Sequence, residues 1–93
     1  INDVFGALKD DLSISTFKPY VGHNLGGSAL LEAAILMLCL KHNTILPTLN
    51  YMKSDPRYNL NLVREKQSIK LKTVMKICCA FAGFNDAEIF RKV

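Results

Sequence analysis

Apolar and polar residues fall into blocks of different period along the chain. Val4, Phe5 and Leu8 share one face at helical spacing, so Asn2 to Leu8 reads as the end of a helix, closed by Lys9, Asp10 and Asp11. Ser13 to Phe17 alternates small or polar residues with apolar ones and stops before Pro19, which predicts a short strand. Lys18 to Gly27 is a glycine-rich turn, and Ser28 opens a helix running to about His42. Apolar residues from Leu30 to Leu40 circle that helix completely, and Glu32 is its only charge before Lys41. A helix apolar on every face is expected to be buried on every face. Lys41 and His42 suit its C-terminal end, His42 as a cap.

The second half is more broken. Thr44 to Asn50 holds Pro47 and reads as extended, Lys53 to Asn61 as a polar loop around Asp55-Pro56, and Leu60 to Val63 as a short extended piece. Arg64 to Lys72 is charged and surface-like. Thr73 to Phe81 is nearly continuously apolar and predicts an interior strand. Ala82 to Asp86 reads as a turn and Ala87 to Lys92 as a returning strand, so the chain is expected to end in a hairpin. One long helix beside several strands gives an α/β or α+β piece.

Size sharpens this picture. A chain of 93 residues makes one small domain and cannot easily surround a helix that is apolar all round. The chain is therefore expected to be a piece of something larger or to be covered by a partner. An independent small binding domain would expose a large apolar patch. The net charge of +4 comes without a dense basic run, which argues against a nucleic-acid partner and allows an acidic protein partner. Cys39, Cys78 and Cys79 make no even framework and no Cys-x-x-Cys pair, so they read as buried thiols in a reducing cytosol. The start lacks a basic region before an apolar one, so no signal peptide is expected. The apolar run Ala29 to Leu40 is interrupted by Glu32 and reads as too short to span a bilayer. The chain begins without Met, and Ile1 is expected not to be a natural start.

The candidate chemistry lies just before the long helix. His23 stands between Gly22 and the Gly26-Gly27 pair at the mouth of a buried helix, where it is poor packing material and suits a polar group held close to a ligand. Glu32 on the apolar helix needs a partner, because an unpaired buried charge is costly.

Four ordered segments resemble the β-ketoacyl synthases, the condensing enzymes of fatty-acid and polyketide synthesis. Lys18, then Gly22-His23, then Gly26-Gly27-Ser28 with Glu32 beyond, resembles the second histidine motif of that family. Ile45 to Asn50 resembles its hydrophobic-Pro-Pro-Thr-hydrophobic-Asn segment. Asp55-Pro56 and Leu60 to Val63 resemble the stretch that follows. Cys79-Ala80-Phe81-Ala82-Gly83-Phe84-Asn85 resembles the terminal Phe-Gly-Phe-Gly-Gly-x-Asn loop.

The resemblance implies a thiolase-like α/β fold, an αβαβα layered sandwich of which residues 1–93 would be a C-terminal, partial segment: a buried central helix plus mixed sheet strands ending in a hairpin. It implies decarboxylative Claisen condensation of acyl and malonyl thioesters, with His23 as the second catalytic histidine and Lys18 as an organising charge. Glu32 would be the partner of Lys18, Phe81 the gate of the acyl pocket, and Asn85 the residue that holds the last turn. No cofactor and no metal are implied. The implied partners are an acyl carrier protein, the remainder of the synthase or a partner subunit, in a homodimer or heterodimer, with no nucleic acid and no membrane span, in the cytoplasm. The nucleophilic cysteine and first histidine belong to earlier segments of such enzymes, so the chain alone is expected to be inactive. A catalytically silent, chain-length-factor type subunit is the alternative. A thiolase fits less well, because Cys78-Cys79-Ala80-Phe81 lacks that family's second reactive cysteine in a Cys-x-Gly context.

Several positions depart from the family pattern. Pro19 stands where a small residue is usual, and Ala29 replaces a frequent glycine. Ala80 and Ala82 replace glycines around Phe81, and Phe84 replaces a small or polar residue. Alanine in place of glycine is expected to stiffen or reshape that loop.

Overall fold

The computed structural model describes residues 1–93, apart from the side chain of Lys9. Helix α1 (Asn2–Phe5) continues into 3-10 turns over Gly6–Asp11, where the sequence predicted a helix end. Helix α2 (Lys18–Val21) is a single turn with Pro19 in its first positions, and a further 3-10 turn spans Leu25–Gly27. Helix α3 runs Ser28–His42. Short strands β1 (Thr44–Ile45) and β2 (Gln67–Ser68) pair antiparallel, as do the longer β3 (Thr73–Cys79) and β4 (Asn85–Arg91).

Helix α3 has the bounds its sequence predicts. Its end is capped by Asn43, in the left-handed region at φ 51°, whose N–H bonds back to the carbonyls of Cys39 and Leu40. His42 is therefore the last helical residue rather than the cap. Asn tolerates the left-handed conformation better than most residues, which is why the cap falls one position later. Asn43 also ties the fold together. Its carbonyl accepts the Ile69 N–H at 3.0 Å, and its Oδ1 accepts the Leu71 N–H and the Lys92 ammonium at 3.2 and 2.8 Å.

Three expected segments take a different form. Ser13 to Phe17 is not a strand: a single parallel bridge joins Ile14 to Leu62, through Ile14 N–H to the Asn61 carbonyl and Val63 N–H to the Ile14 carbonyl. An extended segment becomes a strand only where a neighbour takes its alternating backbone groups, and one such pair is present here. The Lys18 to Gly27 turn contains α2, because proline's fixed φ suits a first helical turn. The charged Arg64 to Lys72 stretch contributes β2, which pairs Gln67 with Ile45 and Ser68 with Thr44.

Strand β3 was expected to lie inside a sheet. Among the described residues it pairs with β4 alone, in a register that sets Lys76 opposite Glu88 and Cys79 opposite Asn85. Met75 and Ile77 on its outer face are exposed. Its inner face meets α3, which also packs on β1. The buried apolar residues there and nearby are Phe17, Ala33, Cys39, Leu40 and Val63. The opposite face of α3 is open: Leu30 is 77% exposed, and Leu31, Met37 and Leu38 are exposed beside it. Each such side chain contributes about 1.5–3 kcal/mol when fully buried, so these 93 residues supply one covered face where the helix sequence calls for all of them.

With its preceding turn, the helical run Leu25–His42 reaches 18 residues and is apolar enough to cross a membrane by length and composition. A core helix passes the same test. Here Glu32 lies on its buried face and is paired, and that face packs on strands, which favours the core.

Candidate active site

Lys18 opens α2 and Glu32 lies in the second turn of α3, fourteen residues later, yet the two meet. The Lys18 ammonium donates to Glu32 Oε1 at 2.5 Å. The carboxylate is nearly buried and the lysine about half exposed, with side-chain exposures of 11% and 43%. Burial raises the cost of the unpaired carboxylate, so the pair fastens the loop between them to the buried face of α3.

That loop turns sharply. Gly22 ends α2 with φ 76° and ψ 179°, a conformation that side-chain-bearing residues rarely adopt, and its N–H returns to the Lys18 carbonyl at 2.8 Å. The Tyr20 hydroxyl donates to the Pro47 carbonyl at 2.7 Å, and the Thr16 N–H reaches Thr48 Oγ1 at 3.2 Å. The segment before α2 and α2 itself are thus anchored to Pro47-Thr48.

His23 follows Gly22 and is exposed. Its Nδ1 accepts the backbone N–H of Leu25 at 3.1 Å. Leu25 holds φ 46°, a left-handed conformation that costs a non-glycine residue about 1–2 kcal/mol. Because Nδ1 accepts, the ring proton sits on Nε2, and no side chain or backbone group among the described residues takes it. The imidazole is therefore set to donate outward.

Phe81 lies in the turn joining β3 to β4, and Asn85 is the first residue of β4, at the end of that turn. The Ala80 N–H bonds the Phe84 carbonyl at 2.8 Å, and Asn85 Nδ2 donates to the Gly83 carbonyl at 3.0 Å, bracing the turn from inside. Ala82 occupies the left-handed region at φ 57°, followed by Gly83 at φ 76°. Phe81 is 92% exposed. The five predicted site residues form two groups: Lys18, His23 and Glu32 around the mouth of α3, and Phe81 with Asn85 at the hairpin end, the one in the turn and the other opening β4. No hydrogen bond or ion pair joins the two groups among the described residues.

A cleft of about 530 Å³ lies between the Ser13–Phe17 segment and β3, with Lys18, Glu32 and Cys39 on its wall. Burial pushes the Cys39 thiol above its ordinary range, so it is held as a thiol and not as a nucleophile. Sequence reasoning missed Leu25, Ser28 and Tyr20 as supports of this site. Leu25 acts through its backbone N–H, and Tyr20 and Ser28 through hydroxyls whose partners are set by how the chain folds back, neither of which the side-chain pattern carries. The hydroxyl of Ser28, five residues after His23, was the one available signal.

The C-terminal domain of β-ketoacyl synthases matches residues 1–52, the part that carries α2, the His23 loop and α3. The chain belongs to the β-ketoacyl synthase family. The tetracenomycin polyketide synthase ketoacyl synthase α subunit of Streptomyces glaucescens is 34% identical over 86 residues, covering 88% of this chain and 20% of its own length. The 3-oxoacyl-(acyl-carrier-protein) synthase 2 of Coxiella burnetii is 33% identical over 94 residues, 100% of this chain and 23% of its own. A type II polyketide ketosynthase, solved bound to the hexaketide and in complex with its acyl carrier protein, superimposes with a TM-score of 0.94 at 27% identity. That match covers 99% of this chain and 23% of the ketosynthase. The β-ketoacyl synthase chain thus has a thiolase-like α/β fold, and it spans about a fifth of the length of these relatives.

Proposed function

We propose that residues 1–93 are the C-terminal segment of a synthase that condenses acyl and malonyl thioesters with loss of carbon dioxide, in fatty-acid or polyketide synthesis. The observation that carries this reading is the His23 imidazole, whose Nδ1 is occupied by the Leu25 N–H so that Nε2–H faces outward. When a malonyl thioester loses carbon dioxide, the released electron pair moves onto the thioester carbonyl and creates an enolate oxygen. A pre-oriented N–H aimed at that oxygen stabilises the developing charge at no reorganisation cost. Lys18 and Glu32 keep the loop that carries His23 seated on α3. Phe81 gates the acyl pocket, and Asn85 holds the turn that carries Phe81. The attacking carbanion and the acyl thioester need a nucleophilic cysteine and a first histidine from the remainder of the protein, so the segment alone is inactive.

The carrier of both substrates is an acyl carrier protein, and the protein works in the cytoplasm as a homodimer or heterodimer. The solved ketosynthase held by its acyl carrier protein supports the first point. A silent subunit paired with an active one is the second reading. It is favoured by Ala82, which holds a left-handed backbone where the family has glycine, and by the bulk of Phe84 beside it. A cysteine at the strand-to-helix elbow upstream supports the enzyme, and its replacement supports the silent subunit.

The test is carbon dioxide release from malonyl carrier protein by the protein at its native length. His23→Ala is expected to lower the rate about 10²–10³-fold, the usual cost of one oxyanion donor. An unchanged rate removes His23 from the chemistry and overturns the reading. Residues 1–93 alone should condense nothing.

A further inference from the structure

We propose that Ser28 is a positioning residue for His23, its buried hydroxyl being a second donor that holds the imidazole as the Nε2–H tautomer. The inference rests on the reading of His23 as an outward donor and deepens it.

Ser28 is the first residue of α3 and is buried, at 7% exposure. Helix-start serines commonly cap their own helix, but no side-chain cap bond is made at this end of α3. The hydroxyl instead reaches back into the preceding loop. Ser28 Oγ accepts the Asn24 N–H at 2.7 Å and lies 3.4 Å from His23 Nδ1. A hydroxyl has one hydrogen to give. Nδ1 already accepts the Leu25 N–H, so it carries no proton and can only accept again. The hydrogen of Ser28 is therefore the donor in the serine–histidine contact.

The result is a short chain of donors running from Asn24 N–H through Ser28 Oγ–H to His23 Nδ1, in which each bond polarises the next. It converges on the same ring nitrogen as the Leu25 N–H. Leu25 supplies its bond from a strained backbone at φ 46°, which would relax by turning that N–H away. Ser28 opposes this twice: it latches the Asn24 end of the same turn, and it keeps Nδ1 an acceptor when the Leu25 bond fluctuates. A plain loop latch would need only the Asn24 bond, and the 3.4 Å contact to the ring is what distinguishes positioning from latching.

The test is long-range proton–nitrogen NMR of the His23 ring in the native-length protein, together with carbon dioxide release from malonyl carrier protein. The unaltered protein is expected to show the Nε2–H tautomer alone. Ser28→Ala is expected to admit a measurable Nδ1–H population and to lower kcat about threefold to tenfold with KM unchanged, the worth of one modest hydrogen bond. Ser28→Thr, which keeps the hydroxyl, should restore both. An Nε2–H ring with full kcat in Ser28→Ala overturns the proposal, as does a Thr variant that behaves like Ala. If His23→Ala leaves kcat unchanged, the reading of His23 fails, while the tautomer signal still decides what Ser28 does.

Discussion

The loop that carries His23 and the turn that carries Phe81 are both short, glycine-containing and exposed at their tips, but they are held in opposite ways. The first is fastened from several directions: Lys18 to Glu32 on α3, Tyr20 to Pro47, Gly22 to Lys18, and two groups on the His23 ring. Its strained residue, Leu25, uses its conformation to aim an N–H. The second is braced within itself, by Ala80 to Phe84 and Asn85 to Gly83, and its strained residue, Ala82, aims nothing that the described contacts use. The roles proposed above, a rigid donor at His23 and a movable gate at Phe81, call for this contrast, because fixed geometry stabilises charge while a gate must change geometry.

The largest effect expected is on the fastening of the first loop. Lys18→Met leaves a nearly buried Glu32 carboxylate without its counter-charge and should cost about 2–3 kcal/mol, below the range for fully buried pairs because Lys18 is half exposed. Glu32→Gln keeps the shape and one acceptor, frees a lysine that water can reach, and should cost about 1 kcal/mol. Urea midpoints of the native-length protein at unchanged slope measure both. Equal losses would mean that the carboxylate is not the costly partner, and the loop would then be no better anchored than the turn.

A smaller effect is expected in the turn. A β-branched side chain at φ 57° is poorly tolerated, so Ala82→Val should destabilise by about 1–2 kcal/mol. Ala82→Gly relieves about 1 kcal/mol of left-handed strain but adds about as much chain entropy, so its stability should stay within about 0.5 kcal/mol. Its amide exchange around Phe81 should nevertheless rise. A neutral Ala82→Val would show that the turn already samples other backbones, which would sharpen the contrast with the His23 loop.

The sequence carried some of this and not the rest, for identifiable reasons. The bounds of α3 were legible because its apolar run stops at Lys41-His42, and the need of Glu32 for a partner followed from burial alone. The strand character of Ser13 to Phe17 was not, because strand formation depends on a neighbour and Ile14 finds a single bridge. Asn43 escaped notice although it joins the helix end to Ile69, Leu71 and Lys92, since nothing local marks an asparagine that serves three distant partners. At the site, residue types located His23, Lys18 and Glu32. The hydrogen bond on His23 Nδ1 comes from the N–H that the φ of Leu25 aims at it, a fact of backbone geometry that residue types do not carry. The apolar run of α3 was read as needing cover on every side, and 93 residues cover one side of it and leave Leu30, Leu31, Met37 and Leu38 exposed on the other.

The smallest effect concerns the thiols, which sample the same two regions. Cys79 sits exposed beside the Phe81 turn, Cys78 is half-buried on β3, and Cys39 is buried on the inner face of α3. Alkylation of the 93-residue chain should follow that order, with Cys39 last both because it is covered and because burial holds it in the unreactive thiol form. The same shift makes stability depend on pH in a fixed direction. A thiol whose folded value lies above the ordinary 9.0 keeps its proton longer in the folded chain, so its contribution is complete below pH 9.0 and is lost as the pH rises through the raised value. Cys39→Ala should flatten the alkaline end of the stability curve slightly. If Cys39→Ala left the curve as steep as before, or if Cys39 were alkylated ahead of Cys79, the helix would not be the protected region and the contrast between the two would have to be reversed.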